Sequence, residues 1–201
     1  ALGTLPGKLR SAVRTLGLDP AVQNVRMSLK EVFVIDNRDP GKGDIYLVTL
    51  VTDSISAEPM KLEVRTFNDI ADGEALQIGP AGLAMYRSEI GKLPRYLDYR
   101  ILIAESDQEL RDAGAVIEEI RNDGTFKSFR DSLLALTGAA APTIALATAA
   151  ADFAMNLIGR ILKMNRDDQL IYIAGSFDDA FDDLAVKLGP VAHKNRYAKV
   201  I

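Results

Sequence analysis

The sequence contains no cysteine, and this absence excludes several kinds of chemistry at once. Without thiols the chain has no disulfides, no thiolate nucleophile, no zinc–cysteine site and no iron–sulfur cluster. The composition fits a reducing compartment, which slightly favours the cytoplasm. Because the chain begins at Ala1 without an initiator methionine, the sequence leaves open whether a preceding segment carries a targeting signal.

Histidine is almost as scarce, since His193 is the only one. A single imidazole excludes multi-histidine metal sites and weakens the case for Ser-His-Asp chemistry. The sequence also lacks a Gly-x-Ser-x-Gly elbow and a complete phosphate-binding loop. We therefore expect a protein that is not an enzyme. A hydrolase that works through carboxylates alone remains as the catalytic alternative.

Positive charge is in slight deficit: 24 Lys and Arg residues against 28 Asp and Glu residues give a net charge of −4. Nucleic-acid binding requires a basic surface that displaces counterions, so we expect no nucleic-acid partner. With 201 residues, 48% of them hydrophobic, the chain is suited to one large folded domain. We assign residues 1–24 to an N-terminal arm or short helix and residues 25–201 to that single domain.

Between Val25 and Ile103 the pattern predicts mainly short strands separated by turns. In Met60–Phe67 apolar and charged residues alternate, which is typical of a half-buried strand. The other predicted strands are Met27–Ile35, Ile45–Val51, Tyr99–Ala104, Gln169–Ala174 and Arg196–Ile201. Such a succession is typical of an antiparallel β-sandwich.

From about residue 107 to residue 164 the apolar spacing becomes helical, beginning with Leu110, Ala113 and Val116. We expect the Asn122-Asp123-Gly124 sequence to end the first helix of this region. The predicted fold class is therefore α+β, an antiparallel β-sandwich with a helical insertion before the last strands.

Within that insertion, Ser132–Ala151 is a run of 20 residues without a charged side chain. The run is long enough to cross a bilayer, but it is rich in alanine and interrupted by Gly138 and Pro142. Three interpretations follow: buried core helices, helices that pack against a protein partner or a second copy, and a membrane hairpin. The sequence favours the first.

Two short acidic loops are the features that point most directly to a function. One runs from Asp36 to Asp44 between two apolar strands, and the other runs from Glu105 to Asp112. Calcium takes six to eight oxygen ligands, mostly carboxylates and carbonyls from flexible loops. If the loops are neighbours, the candidate Ca²⁺ ligands are Asp36, Asp44, Glu105, Asp107 and Asp112. Asp and Asn also cluster in turns and helix caps, so turn chemistry without a metal is the alternative.

The arrangement of these acids resembles the C2 domain over residues 25–112 and the last strands. Asp36 and Asp44-Ile45-Tyr46 are similar to the two aspartate positions of that family's first loop. Glu105-Ser106-Asp107, followed by Asp112, is similar to the acidic motif of its third loop. The sequence departs from the family in having isoleucine where proline is usual and in the predicted helical segment after the third loop.

The resemblance implies a non-enzymatic module that binds Ca²⁺ at one end of the sandwich. Such a module docks to a membrane surface or to a protein partner. The alternative is a metal-free structural or interaction protein that acts through a partner or through homo-oligomers, with the acidic loops serving only as turns.

Overall fold

The fold is seen here in a computed structural model that describes residues 24–55, 60–94, 96–106, 168–178 and 190–201, together with scattered helical residues between 118 and 156. The described ranges hold ten β-strands. They are β1 (Arg26–Leu29), β2 (Val32–Val34), β3 (Lys42–Asp53), β4 (Met60–Ala71), β5 (Glu74–Ala75), β6 (Leu83–Arg87), β7 (Tyr96–Ser106), β8 (Asp168–Asp178), β9 (His193–Lys194) and β10 (Ala198–Val200).

The four longest strands form one antiparallel sheet in the order β4-β3-β7-β8. The two central strands of this sheet, β3 and β7, are buried along almost their whole length. Ile45, Leu47 and Val51 face one side of the sheet, and both they and the intervening Tyr46 and Val48 are buried. A strand covered on both faces has a nearly continuous apolar sequence, which explains the run from Ile45 to Val51.

Two smaller sheets complete the architecture, one in the order β5-β2-β10-β9 and the other a pair of β1 with β6. The prediction of a single strand over Met27–Ile35 is wrong, because this segment divides into β1 and β2. Between them, the backbone N–H groups of Lys30 and Glu31 both donate to the carbonyl oxygen of Ile201. Lys30 and Glu31, which lie between β1 and β2, therefore keep their backbone N–H groups hydrogen-bonded although they belong to neither strand.

One apolar core joins the three sheets. Its members come from β1, β2, β3, β4, β6, β7, β8 and β10, and they include Val32, Ile45, Met85, Leu97, Ile103, Leu170 and Val200. The described chain is thus mostly antiparallel sheet in a sandwich-like arrangement, which confirms the prediction of a β-sandwich at that level.

Strand β4 lies at an edge of the large sheet and shows the alternation that the sequence predicts. Leu62 and Val64 are buried, whereas Lys61 and Arg65 are exposed and Glu63 lies between these extremes. Charged side chains on an edge strand discourage pairing with a further strand. The strand is longer than predicted and continues from Phe67 to Ala71.

The predicted N-terminal arm and most of the predicted helical insertion lie outside the described residues. Where residues of the insertion are described, they are helical, and two buried rings, Phe126 and Phe153, meet edge to face with centroids 5.6 Å apart. Asn122 and Gly124 are both helical, so the predicted helix end at this point is wrong. Local turn propensity is a weak influence that tertiary context overrides. Within the described part of the chain, no helix has the length and hydropathy needed to span a membrane.

A glycine in β8 leaves no room for a larger side chain beside the neighbouring strand. Gly175 lies directly opposite Tyr99 of β7, and a Cβ atom on Gly175 would stand 2.4 Å from the Tyr99 ring. The Tyr99 ring also stacks on Phe177, with centroids 5.9 Å apart. The aromatic side chain therefore covers the glycine and occupies the space that a larger residue would need.

We expect Gly175→Ala to lower the free energy of unfolding by about 1–3 kcal/mol, because the Tyr99 ring must leave its rotamer or the strands must separate. Urea unfolding followed by circular dichroism measures this change. The control is Gly124→Ala, a helical and exposed position where nothing lies within 4 Å of an added Cβ. That variant should gain up to about 1 kcal/mol. Equal stabilities for the two variants would contradict the packing assigned to Tyr99.

Candidate functional site

The loop between β2 and β3 is held closed by a single buried side chain, Asn37. Its Nδ2 donates to the carbonyl oxygens of Gly41 (3.0 Å) and Ile70 (2.8 Å). Its Oδ1 accepts the backbone N–H of Asp39 at 3.0 Å. Asn37 has no solvent exposure. Because both ends of its amide are bonded to the backbone, the side chain fixes the loop to the end of β4.

The same loop presents Arg38 in an unusual backbone conformation. Its φ angle is +74°, a region that residues other than glycine seldom adopt. Two hydrogen bonds stabilise this conformation. The backbone N–H of Arg38 donates to Asp36 Oδ1 (2.9 Å), and the backbone N–H of Asn37 donates to Asp72 Oδ1 (2.8 Å). Arg38 therefore projects from a rigid turn.

The turn between β9 and β10 is closed in a similar way by Asn195. Its Nδ2 donates to the carbonyl oxygen of Leu170 in β8 (2.7 Å), and its Oδ1 accepts the backbone N–H groups of Tyr197 and Ala198 (both 2.8 Å). The carbonyl oxygen of Tyr197 in turn accepts the N–H groups of Ile35 (2.7 Å) and Asp36 (3.1 Å). The two loops thus form one connected end of the sandwich.

Three side chains at this end form what we call the Arg–Tyr–Arg surface, namely Arg38, Arg196 and Tyr197. The guanidinium carbons of Arg38 and Arg196 lie 5.2 Å and 4.4 Å from the centroid of the Tyr197 ring. Arg38 Nη1 also contacts Asp168 Oδ1 at 2.9 Å. Exposed ion pairs and cation–π contacts of this kind add little stability. Their main effect is to hold two long side chains in fixed positions.

Two of the predicted Ca²⁺ ligands, Asp36 and Asp44, accept hydrogen bonds from the backbone. Asp36 accepts the N–H of Arg38, and Asp44 Oδ1 accepts the N–H of Asp69 at 3.1 Å. Asp69 has a φ of +58° and lies where the pairing of β3 with β4 shifts register. Asp44 therefore bonds an N–H group at an irregularity of the sheet, a role that matches the turn interpretation.

The third described carboxylate, Glu105, points to the other face of the sheet. Glu105 pairs with Ile45, whereas Asp44 pairs with Ser106, so side-chain alternation separates the two acids. Glu105 is 1% exposed and lies beside Gly43, whose Cβ position would be 3.2 Å from its Cγ. The structure does not bring Asp36, Asp44 and Glu105 together.

Among the described residues there is no group of three or more His, Asp or Glu side chains that could hold a metal ion. The other two predicted ligands, Asp107 and Asp112, lie outside the described residues. The five-carboxylate Ca²⁺ site therefore stays a prediction.

Sequence reasoning missed the residues that organise this end: Asn37, Arg38, Asn195 and Tyr197. A local signal exists for the two asparagines, because an Asn side chain that bonds a backbone N–H two residues later is a common turn element. No local signal identifies the contact of Arg38 with Asp168, because the two residues belong to distant parts of the sequence.

Asn37→Ala should lower the free energy of unfolding by about 2–4 kcal/mol, because it leaves the carbonyl oxygens of Gly41 and Ile70 without their donor. The change is measured by urea unfolding. Asn68→Ala, at an exposed position of β4, is the control and should change stability by less than about 0.5 kcal/mol. A loss below 1 kcal/mol for Asn37→Ala would show that Asn37 does not hold the loop closed.

A scan against protein-family models, a search of curated proteins and a search of solved structures all returned no match. The resemblance to C2 domains therefore rests on the sequence motifs alone, and the structure supports a β-sandwich without assigning it to that family.

Proposed function

We propose that this chain is a non-enzymatic interaction module that binds a protein partner through the Arg–Tyr–Arg surface. The observation that carries the proposal is the contact of two guanidinium groups with the ring of Tyr197, on loops that Asn37 and Asn195 hold closed.

The chemistry of the three side chains supports this function. Arginine and tyrosine are over-represented among the residues that dominate the energetics of protein interfaces. A guanidinium group donates several hydrogen bonds in fixed directions, and a tyrosine ring supplies a rigid apolar contact. The surface therefore has the composition of an interface centre.

The fixed positions of these groups also favour binding. Ordering a long side chain at an interface costs about 0.5–1.5 kcal/mol. Arg38 is already held by Asp168 and by the ring of Tyr197. Folding therefore already orders part of this surface. The conformation of the free surface is close to the one that a partner would bind.

The hydrogen bonds of the acidic residues favour the metal-free alternative. Asp36 and Asp44 each accept a backbone N–H group, which gives both carboxylates a structural role without a cation. The proposed module consequently binds its partner without Ca²⁺.

Site-specific photo-crosslinking tests the proposed surface. A photoreactive amino acid in place of Lys194, next to the Arg–Tyr–Arg surface, should give a discrete adduct with a protein partner in the source cells. Adding Arg38→Ala and Arg196→Ala to the same chain should lower the adduct yield at least tenfold. The control carries the photoreactive residue in place of Lys61, on the exposed edge of β4. An adduct that survives both alanine substitutions, or that forms equally well from position 61, would contradict the proposal.

Thermal unfolding in Ca²⁺, in Mg²⁺ and in EDTA separates the proposal from the calcium alternative. We expect midpoints that agree within about 1 °C, because binding to the proposed surface needs no cation. A ligand at about 100 times its dissociation constant stabilises by roughly 2.7 kcal/mol, a rise on the order of 5–10 °C for a chain of this size. A Ca²⁺-selective rise of that size, abolished by Asp44→Asn or Asp107→Asn, would restore the calcium site.

A further inference from the structure

A buried polar cluster lies at the end of the β3–β7 pair opposite the loops described above. Its members are Thr52, Tyr96, Asp98 and Arg100. Thr52 is directly opposite Asp98, and the alternation of β7 places Tyr96, Asp98 and Arg100 on one face of the sheet. All four residues are buried, and the most exposed, Arg100, retains 8% of its surface. We call these residues the Asp98 cluster.

An ion pair lies at the centre of the cluster. Arg100 Nη2 and Asp98 Oδ2 are 2.8 Å apart, with side chains only 9% and 3% exposed. Removing both charges from water carries a desolvation penalty that a single contact does not fully offset. The ionised carboxylate of Asp98 is therefore held in an unfavourable environment.

Among the described residues, few other groups stabilise this charge. The hydroxyls of Thr52 and Tyr96 and the Nε of Arg100 are buried, and none has the geometry of a full hydrogen bond. The Tyr96 hydroxyl is still close enough to Asp98 to favour its ionised form. Hydrogen bonds donated to a carboxylate favour its ionised form, and two or three of them lower its pKa strongly. A larger ligand would need a cavity among these solvent-excluded atoms, whereas a proton needs none.

Strands β3, β7 and β8 all place polar side chains on the face of the sheet that carries Asp98. Thr52 faces it from β3, Tyr96 and Arg100 from β7, and Tyr172 and Ser176 from the same face of β8. Arg100 is the one cation among these described neighbours. Burial raises the pKa of Asp98 to about 6, against the opposing effects of the Arg100 charge and a contact with Tyr96. Burial raises the pKa values of Tyr96 and Tyr172 as well, so both tyrosines stay neutral in this range.

We propose that the Asp98 cluster is a closed proton-binding site, at which Asp98 takes up one proton between neutral and mildly acidic pH and thereby stabilises the fold. This inference is independent of the Arg–Tyr–Arg surface.

The direction of the effect follows from linkage between proton binding and folding. An aspartate in the unfolded chain titrates near 3.8, so the folded chain binds this proton more tightly than the unfolded chain does. The stability that Asp98 contributes is complete below about pH 4 and is lost as the pH rises through about 6. Across this window the contribution of Asp98 to the folding equilibrium constant should fall about 100-fold.

The decisive measurement is a titration of the Asp98 side-chain carboxyl carbon by NMR in the ¹³C-labelled wild-type chain. We expect a midpoint near pH 6. Arg100→Met should move the midpoint to higher pH, because it removes the charge that favours ionisation. Ser176→Ala, an exposed position opposite Asp98, is the control and should leave the midpoint within about 0.3 units of wild type. A wild-type midpoint at or below about 4 would overturn the proposal.

Unfolding experiments supply the second readout. In the wild-type chain, one component of the unfolding free energy should decrease between pH 4 and 7. This component arises because the folded state binds one more proton than the unfolded state. Asp98→Asn should remove that component, and a pH dependence identical to wild type would count against the site. Because the wild-type titration does not depend on any variant, the proposal stays testable if Asp98→Asn fails to fold.

Discussion

The pairing of β3 with β7 forms the centre of the large sheet and determines where β4 and β8 attach. The two strands pair continuously from Asp44 opposite Ser106 to Asp53 opposite Leu97. Because both faces of the pair are buried, a shift by one residue would exchange every side chain between the apolar core and the opposite face. The sheet therefore has a single acceptable register, and that register positions the side chains at both of its ends.

The two ends of this pair use polar residues in contrasting ways. At the loop end, exposed arginines and a tyrosine are fixed by asparagines whose amides bond to the backbone. At the other end, Asp98 and Arg100 are removed from water and depend on each other. Low exposure to water makes each polar interaction there stronger. It also makes each unpaired polar group more destabilising. The proposed partner surface lies at the first end, and the proposed proton-binding site lies at the second.

Local patterns predicted the four long strands β3, β4, β7 and β8, but not which strands pair with each other. The alternation in β4 was visible because it is a property of consecutive residues. The division between β1 and β2 depends on the carbonyl oxygen of Ile201, which no local window contains. The acidic loops were recognised in the sequence, but strand register places Asp44 and Glu105 on opposite faces. Asp98 and Arg100 have the spacing of an exposed, charged strand face, and only the burial of that face gives the pair its significance.

The small sheet places strands from the two extremes of the described chain next to each other, with β2 paired to β10 and Ile201 accepting bonds from Lys30 and Glu31. During synthesis, β2 therefore has no partner on that side until residues 198–201 have left the ribosome. Contacts between such distant parts of a sequence form slowly, and an unpaired strand is prone to aggregation while it waits. The growing chain is thus vulnerable to aggregation until β10 becomes available to pair with β2.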